Sequence, residues 1–221
     1  MTLICLVYGF LFPFTAVSPF REYAIFLPVV FVVALCIGFI LQFQKVMISD
    51  ISMAFLFTTI ISFAFTSVIL IRFQFGKYAM LYVLIALMGS WITDSGAMLT
   101  GRYFGKHKLC PSISPKKTVE GAVGGVVTSV VVFAIFSTVY NLVSTDGSSL
   151  SIVGMMVIGF FCAILSMVGD LTASVVKRQC GVKDFGNIMP GHGGVLDRFD
   201  SVLVVAPFVY LVALYFGIII L

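Results

Sequence analysis

Asp170, Ser174 and Lys177 stand at i, i+4 and i+7 in an otherwise apolar run, which puts a carboxylate, a hydroxyl and an ammonium on one face of a helix. The polar residues continue directly: Lys177-Arg178, then Lys183-Asp184-Phe185-Gly186, then Pro190-Gly191-His192-Gly193-Gly194, then Asp197-Arg198-Phe199-Asp200. Glycines let successive backbone N–H groups approach an anion, and Lys and Arg neutralise phosphate oxygens, Arg in a bidentate way. Carboxylates among such bases make sense where a divalent cation sits between acid and phosphate. The bland alternative, a charged loop held by its own ion pairs, is weakened by scarcity. The chain has nine acids, and Asp170, Asp184, Asp197 and Asp200 fall within this one stretch.

Two further groups carry potential chemistry. Asp94 lies near the end of another apolar run, in Ser90-Trp91-Ile92-Thr93-Asp94, where it either packs in a helix–helix salt bridge or joins a binding site. Lys116 and Lys117 precede Thr118 and Glu120, a pattern that opens a helix with Thr118 as its N-cap. Such a basic helix start suits a triphosphate, and equally a lipid headgroup. Gly105-Lys106-His107 does not make a Walker A loop, since His107 stands where Ser or Thr is needed. His192, enclosed by glycines, is a candidate phosphate contact, whereas His107 reads as an exposed residue. The five cysteines form no CxxC or CxxH pattern and read as apolar filler.

The elements that position these groups follow from composition. The chain of 221 residues is 61% hydrophobic and 10% charged, with 23 Phe and a net charge of +4; its mean hydropathy is +1.17. That is too little charge to cover a water-facing surface, so a soluble domain, a disordered segment and a nucleic-acid-binding module are excluded. The sequence predicts an all-α, polytopic transmembrane helix bundle of about seven spans. These are Leu3–Phe20, Tyr23–Phe43, Ser52–Ile71, Tyr78–Leu99, Val119–Val143, Ile152–Val176 and Ser201–Leu221. The first is the weakest, reaching only about 27 Å and carrying Pro13. It has no basic residue ahead of its apolar run and so reads as a retained membrane segment.

With a cytoplasmic amino terminus, ten of the 13 Lys and Arg residues fall in cytoplasmic loops, as the positive-inside rule requires. Most lie in two loops, 100–118 and 177–200, and the functional site is expected there, at the cytoplasmic interface. Residues 1–77 then read as a scaffold of three spans and 78–221 as a catalytic part of four spans and the two loops. No internal repeat of the transporter kind is evident.

Ser174-Val175-Val176-Lys177-Arg178, Lys183-Asp184-Phe185-Gly186 and the run from Pro190 to Asp200 resemble, in order and spacing, the signature of phosphatidate cytidylyltransferases. Gly169-Asp170-Leu171 and the stretch from Phe104 to Gly121 add to the likeness, which covers roughly residues 90–221. The resemblance implies an enzyme that makes CDP-diacylglycerol and pyrophosphate from CTP and phosphatidic acid. It implies that Asp170 and Asp197 hold Mg²⁺ with Asp200 close by, and that a second cation such as K⁺ is bound. Ser174, Lys177, Arg178 and Lys183 would face phosphates, and Arg198 joins Asp170, Lys177, Arg178, Asp197 and Asp200 as a catalytic candidate. Asp184, His192, Gly193, Gly194, Lys116, Lys117 and Asp94 are carried as substrate-binding candidates. The expected setting is a bacterial inner membrane with the site facing the cytoplasm and membrane lipid as a partner. A homodimer is left open. Met98 departs from the family, which often has Tyr there, and the family's first basic segment is not found at the amino terminus.

Rival readings remain at this point. A CTP-dependent lipid kinase would use similar phosphate chemistry and release CDP. An ion or solute transporter would account for membrane acids but not for a basic, glycine-rich loop.

Overall fold

The computed structural model describes residues 1–221 apart from 18, 146, 187–192, 218 and 221, and apart from the side chains of 219 and 220. The chain divides into two compact units, Met1–Met80 and Leu81–Leu221.

The first unit holds α1 (Thr2–Leu11), α2 (Phe26–Leu41) and α3 (Ile48–Gln74). Helix α1 stops where Pro13 enters the chain, because proline offers no N–H and crowds the preceding turn; residues Phe12–Ala16 wind into a tighter 3₁₀ turn instead. Tyr8 stacks on Phe31 at 4.0 Å between ring centroids and on Phe12 at 5.2 Å, forming this unit's apolar centre. On α3 the hydroxyls of Ser62, Thr66 and Ser67 donate to carbonyls one turn back, at 2.6 to 2.8 Å, so none faces lipid unsatisfied.

The second unit runs from α4 (Ala79–Phe104) through a hairpin of β1 (Lys108–Cys110) and β2 (Ser114–Thr118) into α5 (Val119–Val143). After β3 (Ser149–Leu150) come α6 (Ile152–Gln179), the short α7 (Leu196–Phe199), α8 (Val202–Phe216) and β4 (Ile219–Ile220). Strands β1 and β2 pair antiparallel, as do β3 and β4. These four short strands are additions to an otherwise helical fold. Helix α8 ends earlier than its apolar run, because Gly217 adopts φ +53 and terminates it in the left-handed conformation.

Five of the described helices are long and apolar enough to cross a membrane: Phe20–Leu41, Ile48–Gln74, Gly76–Phe104, Val119–Val143 and Ile152–Gln179. Thr2–Ala16 and Val202–Phe216 are shorter apolar helices. The chain is thus an all-α, polytopic integral membrane protein.

Helices α4 and α5 approach closely through complementary small residues. A Cβ on Gly96 would lie 2.7 Å from Thr128 Cβ, and one on Gly124 would collide with the side chain of Thr100. Each glycine therefore receives a threonine of the other helix, as in small-residue packing in lipid. Thr100 and Thr128 meanwhile return their hydroxyls to Gly96 O and Gly124 O, both at 2.7 Å. Helix α6 packs against both α5 and α8. On the α5 side Ser129 Oγ donates to Gly159 O across the interface at 3.0 Å.

Gly96→Val is expected to destabilise the second unit by about 1–3 kcal/mol through overpacking. Thermal unfolding of detergent-solubilised protein reads this out. Thr128→Ala alongside it should recover only part of the loss, because the Thr128 Cβ remains. An unchanged midpoint in Gly96→Val would contradict the packing.

Candidate functional site

The polar groups of the second unit gather at one end of α4 and α6, because α6 delivers its last two turns and α4 its Asp94 to the same place. Asp94 Oδ1 accepts from Ser166 Oγ of α6 and Asp94 Oδ2 from Ser201 Oγ at the start of α8, both at 3.2 Å. Asp94 thus ties three elements together. Asp200 adjoins this network: its Oδ1 accepts from Ser201 N at 2.8 Å and Ser201 Oγ at 3.3 Å. The backbone there runs against α6 at Gly169, where an added Cβ would lie 3.0 Å from Asp200 O.

Asp170 accepts from Ser174 Oγ at 3.4 Å, the i+4 neighbour expected from the sequence. Its other oxygen pairs with Lys117 Nζ of β2 at 2.5 Å. Lys177 turns instead toward the following loop. Its ammonium lies 2.9 Å from Asp197 Oδ1, 3.8 Å from Asp200 Oδ2 and 5.2 Å from the centre of the Phe185 ring. These side chains are only 12%, 7% and 10% exposed for Lys177, Asp197 and Asp200, so the charges compensate one another away from bulk water.

Asp197 is the most heavily committed carboxylate. Besides Lys177, it accepts from Phe185 N and Gly194 N, each at 2.9 Å, and so draws the two limbs of the loop together. Gly193, at φ +80, takes a conformation that favours glycine and turns the chain into this bond. Burial alone would raise the Asp197 carboxyl. The Lys177 ammonium and the Gly194 and Phe185 N–H groups outweigh it and hold Asp197 below the usual carboxylate range. Asp200 goes the other way: burial first, and then the negative charge of Asp170, push it up against the pull of Lys177 and Ser201.

The hairpin is fixed at its root and its tip. Thr118 Oγ1 accepts from Gly121 N at 3.1 Å, capping α5 as the sequence predicts. Glu120 accepts from Lys106 N at 3.0 Å and His107 N at 3.2 Å, and lies 2.6 Å from His107 Nδ1. His107 thereby gains a structural partner at the hairpin root. At the tip, Arg178 Nε donates to Ile113 O at 3.2 Å, joining α6 to the turn between β1 and β2. Below the hairpin lies a cavity of about 370 Å³ reached by Asp94, Arg102, Lys116, Lys117 and Asp170.

The structure therefore brings together Asp94, Lys117, Asp170, Ser174, Lys177, Asp197, Asp200 and the Gly193–Gly194 backbone. Arg178, Lys183, Asp184, Arg198 and Lys116 are exposed around that centre. His192 lies outside the described residues. Sequence reasoning passed over Ser166 and Ser201. Their signal was faint but present, since one stands four residues before Asp170 and the other directly follows Asp200.

Carboxylate oxygens that repel one another, as Asp170 and Asp200 do, are a suitable donor chemistry for a hard divalent cation. Among the described residues no three His, Cys, Asp or Glu side chains converge as a metal-holding group. Lysine ammoniums meet the carboxylates instead.

The cytidylyltransferase family model matches residues 1–216 of the chain. The phosphatidate cytidylyltransferase of Bacillus subtilis is 46% identical over 140 residues, covering 63% of this chain and 50% of that protein. That of Haemophilus influenzae is 39% identical over 165 residues, covering 72% and 55%. That of Staphylococcus haemolyticus is 44% identical over 128 residues, covering 57% and 46%. The chain spans about half the length of the curated relatives it matches.

Because Asp197 binds protons less readily folded than unfolded, its stabilisation of the loop is complete above about pH 4 and is lost as pH falls through its lowered folded value. Asp197→Asn should remove that support and speed hydrogen exchange at the Phe185 and Gly194 amides by about tenfold or more near neutral pH. Equal exchange in wild type and variant would contradict the role of this carboxylate.

Proposed function

The chain belongs to the cytidylyltransferase family, and from that premise we propose that it transfers a cytidylyl group from CTP to phosphatidic acid, giving CDP-diacylglycerol and pyrophosphate. The observation that carries the reading is the set of carboxylates, each faced by a lysine, beside a glycine-rich loop: half-buried Asp170 with Lys117, and the more deeply set Asp197 and Asp200 with Lys177. The shared name of the three relatives agrees with it.

In the proposed reaction a phosphate-monoester oxygen of phosphatidic acid attacks the α-phosphorus of CTP. The new P–O bond forms as the bond from that phosphorus to the α,β-bridging oxygen breaks, and pyrophosphate leaves. A phosphate monoester with a second pKa near 6 is already largely dianionic at neutral pH, so no strong general base is required. The protein's task is to hold two polyanions in line. Lys117, Lys177 and Lys183, with Arg178 and Arg198, supply positive charge to phosphate oxygens. Ser174 and the Gly193 backbone supply neutral contacts, with Asp184, His192 and Gly194 on the same loop. Asp170 and Asp197 would hold Mg²⁺, with Asp200 close by in the chain, and the ion would supply further neutralisation of the transition state and the leaving pyrophosphate. A second cation such as K⁺ belongs to the same proposal.

Five long helices and two shorter apolar ones together make up the proposed seven spans. In this arrangement residues 1–77 act as scaffold and 78–221 as the catalytic part. A bacterial inner membrane with the site on the cytoplasmic face suits the supply of both substrates, CTP from water and phosphatidic acid from the leaflet. The basic residues of loops 100–118 and 177–200 support that orientation.

Asp170→Asn and Asp197→Asn should each lower CTP- and phosphatidate-dependent product formation by at least about 10²-fold while the protein still inserts. Chelation of divalent cations should do the same to the wild type, reversibly. Near-normal turnover in either variant, or in chelator, would overturn the assignment of these acids.

A further inference from the structure

The cavity beneath the hairpin differs in character from the loop around Asp197. Its floor is made by small residues of α4 and α5, Ala97 and Gly101 on one and Gly121 and Ala122 on the other, where the two helices pack too closely to admit a Cβ on Gly121. Its remaining walls are largely apolar, with Met98, Leu109, Met167 and Leu171. Basic groups stand at its rim, Arg102 from the last turn of α4 and Lys116 from β2, while Lys117 and Asp170 lie on its inner side. Asp94, Met98 and Arg102 follow one another at i, i+4 and i+8, so the cavity lining spans about 12 Å of α4 between the Cα atoms of Arg102 and the half-buried Asp94. Met98, on the cavity wall, is 67% exposed.

We propose that this cavity is the subsite for the lipid substrate, with Arg102 as the specificity-determining residue that receives the phosphate monoester of phosphatidate. The assignment rests on the cytidylyltransferase reading and divides its site in two. A volume of about 370 Å³ is in the range of small-ligand pockets and accommodates a glycerol phosphate and the first acyl carbons. Apolar walls suit the acyl chains, and Arg102 with Lys116 suits a headgroup dianion. A cytidine triphosphate, polar along its whole length, is a poor match for those walls. It belongs with the glycine backbone and the bases of the 177–200 loop. Lys116 and Lys117 are thereby assigned to the lipid phosphate, one of the two ligands their sequence context allows. The subsites meet at Asp94 and Asp170. Asp94 reaches the cavity, and through Ser201 it reaches the backbone that carries Asp200.

The test uses Arg102→Gln and Arg102→Lys in the full chain reconstituted in nanodiscs. Arg102→Gln should raise the KM for dioctanoyl phosphatidate about tenfold, leave the KM for CTP within about twofold, and be partly rescued in Arg102→Lys. A rise in the CTP KM with the phosphatidate KM unmoved would overturn the proposal. A second arm measures equilibrium binding of radiolabelled dioctanoyl phosphatidate without nucleotide, with glycerol 3-phosphate as the headgroup lacking acyl chains. Binding that is lost in Arg102→Gln and not matched by glycerol 3-phosphate supports the lipid subsite; binding equal in wild type and Arg102→Gln overturns it. Binding still decides for or against the subsite if the wild type proves unable to consume CTP, a result that would remove the cytidylyltransferase reading alone.

Discussion

A carboxylate at the end of an apolar helix is stable only if a positive charge or hydrogen-bond donors stand against it, and that requirement organises the second unit. Lys117 meets Asp170, and Lys177 meets Asp197 and Asp200. Each pairing also joins two elements: the first binds β2 to α6, the second binds α6 to the segment around α7. For the buried Lys177–Asp197 pair, removing one member leaves its partner uncompensated, at a cost of about 3–5 kcal/mol in comparable settings; the more exposed Lys117–Asp170 pair costs less. The groups proposed to handle phosphate are therefore also those that hold the two loops in place.

The arrangement has a consequence for ligand binding under the proposed reading. Two lysines arrive already desolvated and positioned, each neutralised by a carboxylate rather than by water. Phosphate oxygens would replace carboxylate oxygens at the ammoniums, and the carboxylates so freed would hold the cation. Because like replaces like in charge, little solvent must be reorganised, which is the condition under which fixed charges act strongly on a transition state. Asp197 adds rigidity to this exchange. Its bonds to Phe185 N and Gly194 N keep the loop folded around Lys177.

Much of this was legible in the residues themselves, for reasons specific to each. Asp170, Lys177 and Asp197 stood out because charge is scarce in the chain and a carboxylate in lipid needs a partner. Thr118 was readable as a cap because its position before Glu120 and an apolar run has a local cause. The choice of partners was not readable. The stripe on α6 suggested Lys177 beside Asp170, whereas Lys177 crosses to Asp197 and Lys117 takes Asp170; these depend on how the hairpin and α7 lie against α6. The hairpin itself escaped notice, since its strands are short and Pro115-Lys116-Lys117 breaks the alternation that marks a strand. Span ends were misjudged where one residue outweighs hydropathy, at Pro13 and Gly217.

The central claim is that this constellation joins a lipid phosphate to the α-phosphorus of CTP. It is tested most directly by following the two ends of the nucleotide. Purified protein in nanodiscs containing phosphatidic acid is given CTP radiolabelled at either the α- or the γ-phosphate, with Mg²⁺ present. The account predicts the α label in the lipid fraction as CDP-diacylglycerol and the γ label only in pyrophosphate. Transfer of the γ label to lipid with release of CDP, or no consumption of nucleotide at all, would contradict it.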